Sequence, residues 1–137
     1  MTLGIEMVSV PANIKLVEGF VEKLIGELRI NSQHRGNILI SVTEAVTNAI
    51  LHGNASDETK KVRVYHALKE NELFIEVQDE GCGFDFDTLP DPTEPENILK
   101  LGGRGVFLME QLSDGITFME DGCKVCLKFS VSLDEPQ

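Results

Sequence analysis

Basic side chains are scarce in this chain. Its 12 Lys and Arg stand against 23 Asp and Glu, a net charge of −11 over 137 residues. A protein that neutralises nucleic-acid phosphates needs the opposite balance, so no nucleic-acid binding is expected. No apolar run approaches the roughly 20 residues that cross a bilayer, so no membrane span is expected. Met1 to Glu6 offers no basic stretch leading into an apolar core, which argues against a signal peptide and for a cytoplasmic location. Cysteine is limited to three, an odd number that cannot pair fully within one chain. Cys123 and Cys126 form a C-x-x-C, but no second pair completes a four-ligand zinc site. In an alternating strand their odd separation points them to opposite faces, as packed thiols. A P-loop pattern is missing, and no strand-borne Rossmann glycine pattern is present. There is no internal repeat.

What is present suits one globular domain. Hydrophobic residues make up 42% of the chain, enough for an ordinary core at this length. Ile5, Met7 and Val10 suggest a first strand. Val17, Phe20, Val21, Leu24, Ile25 and Leu28 then fall on one stripe of an amphipathic helix. Asn31, Ser32 and Gly36 mark a loop, and a second helix is predicted from about Asn37 to Gly53. Strands are predicted over Lys61–Lys69 and Glu72–Asp79, joined by a turn at Glu70-Asn71. From Gly81 to Leu101 the periodicity stops, and this stretch holds three of the five prolines; long loops of this kind are usually functional or mobile. A third helix is predicted over Gly105–Leu112. Strands Ile116–Glu120 and Lys124–Val131 follow, joined at Asp121-Gly122. Two hairpins exclude an all-parallel sheet. The expected fold is α+β: a two-layer α/β sandwich, mostly antiparallel sheet with helices on one face.

Helical geometry gives the second helix two sides. Ile38, Leu39, Val42, Ala45, Val46, Ala49 and Ile50 span an arc of roughly 100° to 240° from Glu44, the core face. Glu44, Asn48 and His52 lie at about 0°, 40° and 80°, on the rim. These three side chains could form a solvated polar face. They could also form a site: an amide oxygen suits Mg²⁺, and a carboxylate one turn away can accept a proton. Asn is a mediocre helix former in mid-helix, which favours the site. So do Ile40 and Leu51, whose placement beside Glu44 suggests a partly covered pocket. His52 could bind a partner or complement the helix end.

Two glycine segments follow. Asp79-Glu80-Gly81-Cys82-Gly83 comes directly after a strand. It is either a tight turn or a place where backbone approaches a flat ligand while Asp79 accepts a hydrogen bond from an exocyclic amine. Gly102-Gly103-Arg104-Gly105 opens a helix. It is either a hinge or a set of exposed N–H groups, with one guanidinium, aimed at an anion.

The three segments occur in one order: Glu44-Ala45-Val46-Thr47-Asn48-Ala49-Ile50-Leu51-His52-Gly53, then Asp79 to Phe84, then Gly102 to Met109. Together they resemble the ATP-binding boxes of the gyrase, histidine-kinase and MutL (GHKL) ATPase superfamily. The E-A-x-x-N-A-x-x-H-G form of the first box and the G-x-F-L-M-E run after the glycines resemble the stand-alone bacterial anti-sigma-factor serine kinases most. The resemblance spans about residues 5 to 132. It implies a Bergerat-type fold, ATP with Mg²⁺, a homodimer that binds a sigma factor, and phosphorylation of a serine on a small STAS-type anti-anti-sigma protein. Carried over, Asn48 would ligand Mg²⁺ and Glu44 would be the catalytic base. Asp79 would bind the adenine amine, and Gly81 and Gly83 would line the base. Gly102, Gly103 and Gly105 would wrap the phosphates with Arg104 beside them, and Phe84–Leu101 would be the lid. His52 is a candidate partner contact. Unlike histidine kinases, the chain carries no phospho-acceptor helix pair ahead of the domain, so it is expected to act on a partner. The alternatives are a nucleotide-gated binding module without kinase activity and a partner-switching regulator unconnected to sigma factors.

Overall fold

The computed structural model describes residues 1–81, 103–119 and 123–135. Five strands form one antiparallel sheet: β1 (Thr2–Val8), β2 (Lys61–Lys69), β3 (Glu72–Gln78), β4 (Gly115–Met119) and β5 (Lys124–Ser130). Their spatial order is β1-β2-β3-β5-β4. The helices are α1 (Leu16–Leu28), α2 (Arg35–Asn48) and α3 (Gly103–Leu112). The expected α+β sandwich is therefore the observed one.

Alternation explains the two layers. Val62, Val64, Leu73, Ile75, Val77, Val125, Leu127 and Phe129 point to the helices and are buried. The register places Ile75 opposite Leu127 and Val64 opposite Val77, so the same face is apolar across the central strands. From the other layer come Val17, Val21 and Leu24 of α1, Ile38, Val42 and Val46 of α2, and Val106 and Met109 of α3. Each fully buried aliphatic side chain contributes about 1.5–3 kcal/mol. Exposed ion pairs such as Lys23–Glu27 contribute about 0–1 kcal/mol, so the core and not the charge pattern holds the layers together.

The turn at Glu70-Asn71 is as predicted: both residues have positive φ, 48° and 65°, the geometry a two-residue hairpin requires. The helices differ from the prediction in two places. Gly36 lies inside α2, not in a loop, because Asn31 accepts the Gln33 N–H and starts a 3-10 turn that runs into the helix. The second helical segment ends at Gly53 as predicted, but its last turn is not α-helical. Regular α-helix stops at Asn48, and Ala49–Gly53 forms a π-helical turn. The cause is one bond: Asn54 N–H reaches back five residues to Ala49 O at 2.8 Å. The proposed lid, Phe84–Leu101, and the Asp121-Gly122 turn lie outside the described residues. No described helix is long and apolar enough to cross a membrane.

One core atom stands out. Ser41 of α2 is fully buried, and among the described residues its Oγ has no hydrogen-bond partner. An unpaired buried hydroxyl costs stability, and alanine is the better helix former. Ser41→Ala is expected to stabilise the fold by about 0.5–1.5 kcal/mol, read as a higher urea midpoint with an unchanged slope.

Candidate functional site

Each segment reaches the site from a different element. Asp79 follows β3, and its position is fixed by its own N–H donating to Cys123 O at 2.9 Å. Its Oδ1 accepts the Gly81 N–H at 2.9 Å, closing a tight turn. Gly53, at the end of the π turn, lies directly beneath. A Cβ on Gly53 would sit 2.3 Å from Asp79 Oδ2, and one on Gly81 would sit 1.6 Å from Gly53 O. Gly81 is thus required by close backbone approach, and Gly53 leaves room for the Asp79 carboxylate. Neither appears in the structure as flexibility for its own sake.

Asp79 lines a small crevice together with Ala45, Asn48, Ala49, Val77, Met109, Phe118 and Val125. Most of these walls are apolar. One carboxylate at the rim of an apolar slot suits a flat heterocycle with an exocyclic amine. Burial pushes the Asp79 carboxyl above its ordinary value, opposed by the Gly81 N–H and by Lys60.

On the other side of Asn48 the first turn of α3 comes in. A Cβ on Gly105 would lie 2.7 Å from Glu44 Oε2 and 3.3 Å from Asn48 Nδ2. Glu44, Asn48 and Gly105 therefore meet, and the missing side chain at position 105 lets the Glu44 carboxylate and the Asn48 amide approach α3. The helix N-terminus is a favourable neighbour for a carboxylate or a phosphate. The Asn48 amide is 8% exposed, and among the described residues the fold commits no hydrogen bond to it or to the Glu44 carboxylate. Both are thus available to a ligand, and the amide oxygen fits a hard cation such as Mg²⁺.

Not every expected residue joins this group. His52 is exposed. The π turn removes it from the 100° phase assumed for a continuous α-helix. Ile40 and Leu51 are 44% and 38% exposed, so the outer flank of Glu44 is open and not a covered pocket. Gly103 opens α3; Gly83, Gly102 and the Arg104 side chain lie outside the described residues. Met109 and Phe118 were not singled out as site residues from sequence, because their apolar periodicity marks them only as core. Gly53 and Asn54 were missed as supports, since nothing local shows what packs on them.

Comparison with known proteins decides the family. The model of the histidine kinase-like ATPase domain matches residues 7–129. The chain belongs to the histidine kinase-like ATPase family. Among its relatives is the serine-protein kinase RsbW of Listeria monocytogenes, 30% identical over 98 residues, covering 66% of this chain and 62% of that protein. The anti-sigma F factor of Clostridium perfringens is 33% identical over 122 residues, covering 81% of this chain and 86% of its own length. This histidine kinase-like ATPase thus spans 62% of the length of the Listeria relatives it matches. A crystal structure of the RsbU and RsbW domains of a Mycobacterium tuberculosis protein has the same fold. Its TM-score is 0.61 at 17% identity, over 96% of this chain and 33% of that one.

The charge on Asp79 carries a testable cost. Because its folded value is raised, the fold favours the neutral acid, and stability is lost as pH rises from the ordinary carboxyl value of 3.8 through the folded one. Asp79→Asn removes that charge and keeps an acceptor for Gly81. The nucleotide-free variant is expected to melt above the parent at neutral pH, with the advantage vanishing below the ordinary carboxyl value. Its ATP affinity should fall roughly 10–100-fold, the worth of a charge-assisted hydrogen bond. Calorimetric titration and melting curves across pH read both effects.

Proposed function

We propose that this histidine kinase-like ATPase is an ATP-dependent serine protein kinase that also acts as an anti-sigma factor. It binds a sigma factor and phosphorylates a small anti-anti-sigma partner of the STAS type. The observation that carries the reading is the meeting of Glu44, Asn48 and Gly105 at one end of the crevice that Asp79 rims. A nucleotide with its base against Asp79 would run its phosphates toward the first turn of α3. There Asn48 would hold Mg²⁺, which supplies charge neutralisation to the phosphates. Gly102, Gly103, Arg104 and Gly105 would wrap them, and Gly81 and Gly83 would line the base. Glu44 is then placed to accept the proton of an incoming serine hydroxyl, with its outer flank open to a partner.

The printed names of the Listeria and Clostridium relatives, a serine-protein kinase and an anti-sigma F factor, support the same reading. The chain is proposed to be one nucleotide-binding domain with a lid at 84–101. It works in the cytoplasm, where ATP and sigma factors are found, and as a homodimer, with His52 a partner contact. Light scattering at twice 15.1 kDa tests the dimer. The kinase is tested with the chain co-purified with its native partners and given γ-labelled ATP. Label on a serine of a small partner, and retention of a sigma factor on the immobilised chain, are expected. Nucleotide binding with no labelled partner would leave only a nucleotide-gated binding module.

A further inference from the structure

The residue after Gly53 does more than turn the chain. Asn54 is 1% exposed, and a buried amide is costly unless it is fully bonded. Its Oδ1 accepts the Glu80 N–H at 2.8 Å. Its Nδ2 donates to Ser9 Oγ at 2.7 Å and to Lys61 O at 3.1 Å. The amide's orientation is fixed by its partners, because an N–H must face the oxygen and a carbonyl must face the nitrogen. Its backbone N–H closes the π turn at the end of α2. One side chain thus ties the region just after β1, the start of β2 and the turn after β3 to the site helix.

The tie to Glu80 falls on the residue between Asp79 and Gly81. Three successive N–H groups there are all committed: Asp79 to Cys123 O, Glu80 to Asn54 Oδ1, and Gly81 to Asp79 Oδ1. Only the middle one is held by a side chain from another element. The Glu80 carboxylate returns the tie by accepting the Lys61 N–H, next to the bond that Lys61 O receives from Asn54. The peptide planes on either side of Glu80 set the direction in which the Asp79 carboxylate projects. Its Oδ2 has Gly53 beneath it, so the carboxylate cannot settle back into the fold.

We propose that Asn54 is a positioning residue for base selection. Through Glu80 it aims the Asp79 carboxylate at the exocyclic group of a purine, without touching the nucleotide. The inference rests on the nucleotide site proposed above and adds what makes that site selective. A fixed carboxylate accepts from the 6-amino group of adenine and repels the 6-oxo group of guanine. A carboxylate free to swing loses the first contact and no longer enforces the second.

The test measures ATP and GTP affinities of the full chain by calorimetry, at a temperature where each variant is folded. The parent should prefer ATP. Asn54→Ala should bind ATP about tenfold more weakly and GTP no more weakly than the parent, so the ATP-to-GTP ratio falls about tenfold. If alanine does not fold, Asn54→Ser, whose oxygen stops one bond short of Glu80, should lower the ratio in the same direction. Ser9→Ala breaks the same node on the side away from Glu80. It should lower the melting temperature and leave the ratio unchanged. A merely structural Asn54 would weaken both nucleotides by one factor; a ratio at the parent's value in the Asn54 variants overturns the inference. A parent chain that binds neither nucleotide overturns the nucleotide reading itself and this inference with it; one that binds both alike leaves that reading standing and overturns this inference.

Discussion

Glu44→Ala is expected to keep nucleotide binding and to lose phosphate transfer by roughly 10²–10⁴-fold, the usual worth of a general base. Glu44 sits on the half-exposed rim of α2, with its Oε2 facing the first turn of α3. It is not among the residues lining the crevice that Asp79 rims, so removing it should not disturb the base pocket. Two effects could be confused in the alanine variant: loss of the proton acceptor and loss of packing against Gly105. Glu44→Gln separates them, because it keeps the side chain's volume and removes its basicity. If Gln and Ala are equally slow in a single-turnover assay, proton acceptance is the role. Transfer near the parental rate in either variant would remove Glu44 from the chemistry.

The second large effect is expected at Gly81. A methyl group there would lie 1.6 Å from the Gly53 carbonyl oxygen and 3.3 Å from Asn54 N, both backbone atoms. Backbone cannot rotate aside as a side chain does, so the turn after β3 must move as a unit. Overpacking of this kind costs about 1–3 kcal/mol and occasionally more. The movement would also break the Gly81 N–H bond to Asp79 and shift the Glu80 tie to Asn54. Gly81→Ala should therefore melt several degrees lower and lose at least about 100-fold in ATP affinity, the worth of two displaced hydrogen bonds. Gly53→Ala provides the contrast. Its methyl group would meet the far end of the Asp79 side chain at 2.3 Å. That carboxylate can swing away, so affinity should fall with much less loss of stability. Melting curves beside calorimetric titrations separate the two variants; equal loss of stability in both would contradict the packing described.

The sequence by itself determined the layers. The 3.6-residue stripe from Val17 to Leu28 and the alternation in Glu72–Gln78 and Lys124–Ser130 are local patterns, and each matches the face that is buried. The hairpin at Glu70-Asn71 was legible for the same reason, since turn chemistry is local. The candidate site was legible as an ordered set of segments: Glu44 and Asn48 by helical phase, Asp79 and the glycines by their place after a strand or before a helix.

Only the tertiary structure decided what those segments rest on. The insertion of β5 between β3 and β4 joins chain positions some fifty residues apart, and no local pattern encodes it. The π turn at Ala49–Gly53 broke the assumed helical phase, because the bond that makes it comes from Asn54, which reads locally as the start of a turn. Gly53 and Gly105 leave room for carboxylates that arrive from Asp79 and Glu44, on other elements. Met109 and Phe118 carry the pattern of core residues and become walls of a crevice only when α3 and β4 have docked. Periodicity reports which way a side chain points. What it meets there depends on chain closure over long separations, and that is where the support of this site is built.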